Sequence, residues 1–161
     1  MSDRPHVRIE MLSDPLYLSG ARELVSAVAR RLGFDEPTCS QIALAVDEAL
    51  ANVICHGYQR RPDGLMWISL WPLALSPDTP SLRIVIEDEA RQIDCEQIRG
   101  RDLDDIRPGG LGVHIIRQIM DHVLYEKRSP CGMRLTLVKT GPVRPPTREN
   151  HGHDQETTSN A

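Results

Sequence analysis

The chain has 161 residues with 40% apolar and 26% charged side chains, one domain's worth of average composition, which excludes a wholly disordered protein. Its net charge is −4 and only six aromatics are present (two Trp, three Tyr, one Phe), which argues against a base-stacking platform and against direct nucleic-acid binding. The four cysteines at 39, 55, 95 and 131 form neither a CxxC pair nor a zinc-type spacing and read as reduced thiols.

No apolar run approaches the roughly 20 residues of a membrane helix. The opening MSDRPHVRIE lacks the charged-then-apolar plan of a signal peptide. The expected setting is therefore the cytoplasm, away from membranes.

In chain order, residues 6–12 (HVRIEML) alternate in part and stop at Ser13-Asp14-Pro15, which suits a strand closed by a turn. From Pro15 to Leu32 the apolar residues Leu16, Leu24, Val25, Val28 and Leu32 recur at helical spacing, and Gly33 supplies a stop. Asp35 is a candidate N-cap with Pro37 in the first turn of a second helix. That helix runs through Ile42, Leu44, Val46, Leu50, Val53 and Ile54 to Gly57, apolar on more than one side. Residues 65–73 and 81–88 read as strands of an antiparallel hairpin around SPDT. Residues 89–112 assure no regular element, and a loop this long within a domain is usually functional. Val113, Ile115, Ile116, Ile119 and Met120 mark a third helix, followed by strands at 123–127 and 133–139. The expected fold class is α/β in the α+β sense, a two-layer sandwich with a mostly antiparallel sheet. It occupies 1–140, with a disordered tail at 141–161 that has almost nothing to bury.

Three features carry chemistry. Glu48 and Asn52 are four apart on the second helix and share one face, with His56 continuing the line. An E-x-x-x-N pair alone also suits a solvent face, but here Ala45, Ala49 and Ala51 are small enough to let a ligand approach. Asp88 closes the apolar run LRIVI, where a carboxylate would be delivered at a strand end; a turn-starting aspartate is the plainer alternative. Gly109, Gly110, Leu111 and Gly112 lead directly into the third helix, a plan that lets backbone amides meet an anion, or equally a hinge.

Together, AVDEALANVICHGY at 45–58, IVIED at 84–88, RPGGLGVHIIRQIMDHVLYEK at 107–127 and GMRLTLVK at 132–139 resemble the boxes of the GHKL ATPases, most closely the serine-kinase anti-sigma factors of bacterial partner switches. The resemblance spans about residues 6–140. It implies a Bergerat-type fold with about three helices on one face of the sheet, and a site for ATP and Mg2+. In it Asn52 would ligate Mg2+. Glu48 would be the base for a serine hydroxyl. Asp88 would accept the adenine amino group, and Gly109, Gly110, Leu111 and Gly112 would wrap the triphosphate. Residues 95–108 would be the lid, with Arg101 or Arg107 reaching a phosphate. The implied partners are a STAS-type anti-anti-sigma protein carrying the target serine and a sigma factor, with the kinase acting as a homodimer.

Two stretches depart from the family pattern. The box aspartate is usually followed by glycines, whereas Asp88-Glu89-Ala90-Arg91-Gln92-Ile93 has none. After Gly132 stands Met133 in place of Thr or Asn, and a thioether donates no hydrogen bond; Thr136 is the candidate to compensate. These departures support the alternative of a non-catalytic partner-switch module with a degenerate ATP site, while Glu48 and Asn52 support a kinase. A histidine kinase or gyrase-like ATPase fits less well, because no helix with an acceptor histidine precedes the boxes. The histidines at 6, 56, 114, 122, 151 and 153 suit core, surface and tail positions, with HGHD a weak metal candidate.

Overall fold

A computed structural model describes residues 4–73, 79–94 and 111–141. The expected tail beyond Gly141, including HGHD, lies outside them, as do most of the hairpin loop and the expected lid.

Strand β1 (Val7–Leu12) leads into a single 3-10 turn at Pro15–Tyr17, started by the Asp14 side chain accepting from Leu16 N–H, and then helix α1 (Leu18–Leu32). The first helix therefore begins three residues later than its apolar spacing suggests, because the proline opens a tighter turn. Gly33 ends it at φ 100°, in the left-handed cap that glycine adopts without strain. Helix α2 (Glu36–Asn52) opens as expected, with Asp35 accepting from Thr38 N–H at 2.8 Å and Pro37 in the first turn. It does not stay α-helical to Gly57: residues Val53–Gly57 form one π-helical turn, a widening often met at functional sites.

The remaining elements are β2 (Leu65–Pro72), β3 (Ser81–Asp88), α3 (Leu111–Ile119), β4 (His122–Lys127) and β5 (Met133–Thr140). Five strands form one sheet in the order β1-β2-β3-β5-β4, every neighbouring pair antiparallel. The expected hairpin is present, with Ile68 opposite Ile86 and Met66 opposite Asp88. β5 inserts between β3 and β4, which places Met133 and Leu135 beside the end of β3.

The core lies between the sheet and the helices. Met66, Ile68, Leu70, Ile84, Ile86 and Leu137 meet Val25, Ile42, Val46, Leu50 and Ile116, all buried. Aliphatic side chains supply most of this burial, as a chain with six aromatics requires, at about 25 cal/mol per Å2 of apolar surface removed from water. α2 contacts both α1 and α3, which explains why it is apolar on more than one side. Glu36–Gly57 is long and apolar enough, by length and composition, to cross a membrane, contrary to the reading that no run approaches that length. Its place in the middle of the helix layer, with seven α2 side chains buried against protein, accounts for that composition. Leu44 is the exception, 43% exposed rather than buried.

The other face of the sheet has a different character. Trp67, Ser69, Val85 and Glu87 are buried there under arginines that lie across it, the stems of long cations covering apolar surface while their heads find partners. Glu87 pairs with Arg134 at 2.9 Å, Arg8 at 3.3 Å and Arg128 at 3.5 Å.

Candidate nucleotide site

α2 and α3 bring the phosphate-end residues together. Glu48 and Asn52 are half-buried on one face of α2, and the first turn of α3 presses on them. A Cβ placed on Gly112 would lie 2.7 Å from Glu48 Oε2 and 3.5 and 3.6 Å from the Asn52 amide atoms. The backbone at the start of α3 thus touches both polar heads, and only glycine leaves that approach open. Leu111 at the helix start is 65% exposed. Gly109, Gly110, Arg101, Arg107 and the rest of the expected lid lie outside the described residues.

Asn52 and Asp88 line one cavity of about 180 Å3 between the helix layer and the sheet. Ala49, Val53 and Gly57 form its helix-side wall, while Ile86, Met133 and Leu135 form its sheet-side floor. Glu48, one turn earlier on α2, does not line it and stands beside Gly112 of α3. Ala49 is small enough to leave the space open. Gly57 allows the chain after the π turn to approach the segment after β3, since a Cβ there would lie 2.9 Å from Ala90 Cβ.

Asp88 is 4% exposed. Its Oδ1 accepts from Ala90 N–H at 2.8 Å and from Met133 N–H at 3.2 Å, which leaves Oδ2 with no partner among the described residues. Burial pushes this carboxyl above its ordinary range, opposed by the two backbone donors and by Arg128. A carboxylate held by one oxygen and offered by the other, in a largely apolar cavity, is built to accept a hydrogen bond from a ligand. The departure at Met133 acquires a physical meaning here: its thioether lines the cavity while its backbone N–H ties the aspartate.

Thr136 does not belong with these residues, correcting the expectation that it helps hold the nucleotide. On β5 the buried Met133, Leu135 and Leu137 face the helices, so the period of two points Thr136 to the opposite side. Several neighbours of the cavity carried no site signal in the sequence, among them Arg91, Ile93, Val113 and Tyr125. Tyr125 alternates inward on β4 and was open to discovery from its periodicity; Arg91 and Ile93 sit in irregular chain, where no period operates. Cys39 is buried and Cys55 and Cys131 are exposed, all three free, as expected; Cys95 lies outside the described residues.

Among the described residues no group of three His, Cys, Asp or Glu could hold a metal by itself. Asn52 is compatible with a different arrangement, one amide oxygen beside the start of α3 where phosphate oxygens and water would have to supply the rest of a hard cation's shell.

Residues 11–139 match the sequence model of the histidine kinase-like ATPase domain family. The serine-protein kinase RsbW of Oceanobacillus iheyensis is 28% identical over 131 residues, covering 76% of this chain and 80% of that protein. RsbW of Bacillus subtilis is 24% identical over 145 residues, covering 84% and 87%. The anti-sigma F factor of Heyndrickxia coagulans is 32% identical over 127 residues, covering 75% and 82%. A solved structure of the RsbU and RsbW domains of a Mycobacterium tuberculosis protein superposes with a TM-score of 0.55 at 15% identity, over 86% of this chain. The chain spans about a third of that larger one, 33% of its length, and the likeness is one of fold.

Proposed function

Because the chain belongs to the histidine kinase-like ATPase domain family, and within it to the anti-sigma kinase-like members, we propose that its cavity takes Mg-ATP and that it phosphorylates a serine of a protein partner. The single observation that carries this reading is the junction of Glu48, Asn52 and Gly112, which sets a carboxylate and an amide against the start of a helix. The names of its relatives, serine-protein kinase and anti-sigma factor, support a place in a partner switch, with a STAS-type anti-anti-sigma protein as substrate, a sigma factor as the sequestered target, and a homodimer as the acting form.

Each residue has work suited to its position. Asp88 Oδ2 accepts from the exocyclic amino group of adenine; guanine would set a carbonyl oxygen there, and two acceptors repel. The N-terminal amides of α3, with Gly109, Gly110 and Leu111 before and at its start, receive the phosphates. Mg2+, when bound, would take the Asn52 amide oxygen and draw off charge from the phosphate oxygens. Glu48 orients the partner's serine hydroxyl and accepts its proton as the serine Oγ bonds to the γ-phosphorus and the bond to the β-phosphate oxygen breaks, with ADP leaving. Arg101 or Arg107 of the lid would add charge at the phosphates.

The non-catalytic alternative rested on the missing glycines after Asp88. That segment is nevertheless hydrogen-bonded and the aspartate faces the cavity, which favours the kinase. Calorimetry of the full chain tests the reading: wild type should bind Mg-ATP below millimolar concentration, and Asn52→Ala and Asp88→Asn should each weaken binding by about tenfold or more, the loss of one charge-assisted contact. No binding by wild type at millimolar ATP would refute it. Glu48→Gln should bind ATP yet transfer no labelled phosphate to a STAS partner.

A further inference from the structure

The residues after Asp88 solve, without glycine, the problem of carrying the chain past the cavity. None of residues 89–92 has positive φ, so the segment uses conformations open to any residue, and something other than backbone freedom must hold it. Four side chains do so. Tyr58 hydroxyl accepts from Glu89 N–H at 2.9 Å and donates to Leu65 O at 2.5 Å. Asp88 Oδ1 accepts from Ala90 N–H. Arg128 Nη1 donates to Asp88 O at 2.5 Å, and Gln92 Nε2 donates in return to Arg128 O.

Arg128 stands at the centre of this arrangement. Its side chain bonds the backbone of 88 while its backbone receives the side chain of 92, so the two segments are tied in both directions. Its own N–H donates to Gly132 O at 2.9 Å, closing the turn whose Gly132 packs on Asp88 O. The guanidinium is itself fixed, 5.2 Å above the ring of Trp67 and 3.5 Å from Glu87, a use of the planar fork that a lysine ammonium cannot reproduce in full. The two amides that grip Asp88 Oδ1 belong to Ala90 and Met133, one on each of the segments Arg128 joins.

We propose that Arg128 and Gln92 are positioning residues for the nucleotide base, holding the segments that supply the Ala90 and Met133 amides so that Asp88 Oδ2 is presented to the amino group of adenine. This rests on the reading of the cavity as an ATP site. The ligand chemistry concerned is the 6-amino purine, and the effect is one of selectivity, because the phosphate end depends on α2 and α3 and touches none of these groups.

Calorimetry of full-length wild type, Arg128→Ala, Arg128→Lys and Gln92→Ala, titrated with Mg-ATP, Mg-GTP and Mg-tripolyphosphate, separates the possibilities, with thermal melting run on each. Wild type should prefer ATP to GTP. Arg128→Ala and Gln92→Ala should lose about tenfold in ATP affinity, in line with the loss of one hydrogen bond from the arrangement that fixes Asp88, with GTP and tripolyphosphate affinities unchanged. Arg128→Lys should retain part of the preference, since an ammonium can still donate to Asp88 O. ATP affinity and preference unchanged in both Arg128→Lys and Gln92→Ala would overturn the proposal, as would an equal loss for all three ligands alongside a lower melting temperature. A wild type that binds tripolyphosphate but does not discriminate ATP from GTP would remove the adenine role of Asp88 and this proposal with it, leaving the phosphate end intact.

Discussion

Glu87 and Asp88 are neighbours on one strand with opposite proton chemistry. Burial alone would push both upward. At Glu87 that push is outweighed by Arg134, Arg128 and Arg8, and its carboxyl lies below its ordinary range; at Asp88 burial prevails and the carboxyl lies above. The signs for stability follow. A carboxyl depressed in the folded state stabilises above its unfolded pKa and loses that contribution as pH falls through the folded value. A raised one does the reverse: ionised Asp88 costs stability at neutral pH, and the cost fades on acidification through its raised folded value. Urea unfolding of Glu87→Gln should therefore show a deficit at pH 7 that shrinks toward pH 3. Asp88→Asn should melt no lower than wild type at pH 7, since it removes a buried charge, even as it loses nucleotide. A lower melting temperature for Asp88→Asn would mean that the carboxylate serves the fold rather than a ligand.

Elements meet closely at two glycines, and the two should respond differently to the same substitution. Gly132 has φ 84°, and a Cβ there would lie 1.8 Å from Asp88 O, backbone against backbone with no room to yield. Gly132→Ala should cost more than about 2 kcal/mol in denaturant unfolding. At Gly112 the nearest atom is the end of the flexible Glu48 side chain, and alanine is the better helix former by up to about 1 kcal/mol. Gly112→Ala should leave stability level or raised while weakening Mg-ATP binding, a split visible in paired melting and calorimetry. Sequence periodicity disclosed the elements that build these contacts: the cap at Asp35, the strand pair β2 and β3, and the face shared by Glu48 and Asn52 all follow from local rules. It did not disclose that Thr136 points away, because strand phase depends on which neighbours cover β5. Nor did it disclose Arg128 or Gln92, which themselves lie in irregular chain with partners 40 and 36 residues distant, where no spacing announces a contact.

At the scale of the molecule, the proposed site divides between two layers. Glu48, Asn52 and Gly112 come from helices, and Asp88 comes from the sheet. A nucleotide spanning them would join the layers, so folding and binding should be linked: at a hundred times the dissociation constant, Mg-ATP should add about 2.7 kcal/mol to the unfolding free energy. Asn52→Ala, binding about tenfold or more weakly, should cut that increment to about 1.4 kcal/mol or less at the same concentration, and a melting temperature indifferent to Mg-ATP in wild type would contradict a site that bridges the layers.

The arginine-covered face of the sheet bears on how such a protein could be watched. Both tryptophans, Trp67 and Trp71, are on β2, on the side away from the cavity, and each lies beneath a guanidinium. Direct quenching or stacking by a bound base is therefore closed to them. Arg128, however, touches the ring of Trp67 and the carbonyl of Asp88 at once, so a shift in indole emission on adding nucleotide would report the back of the sheet sensing its front through one side chain.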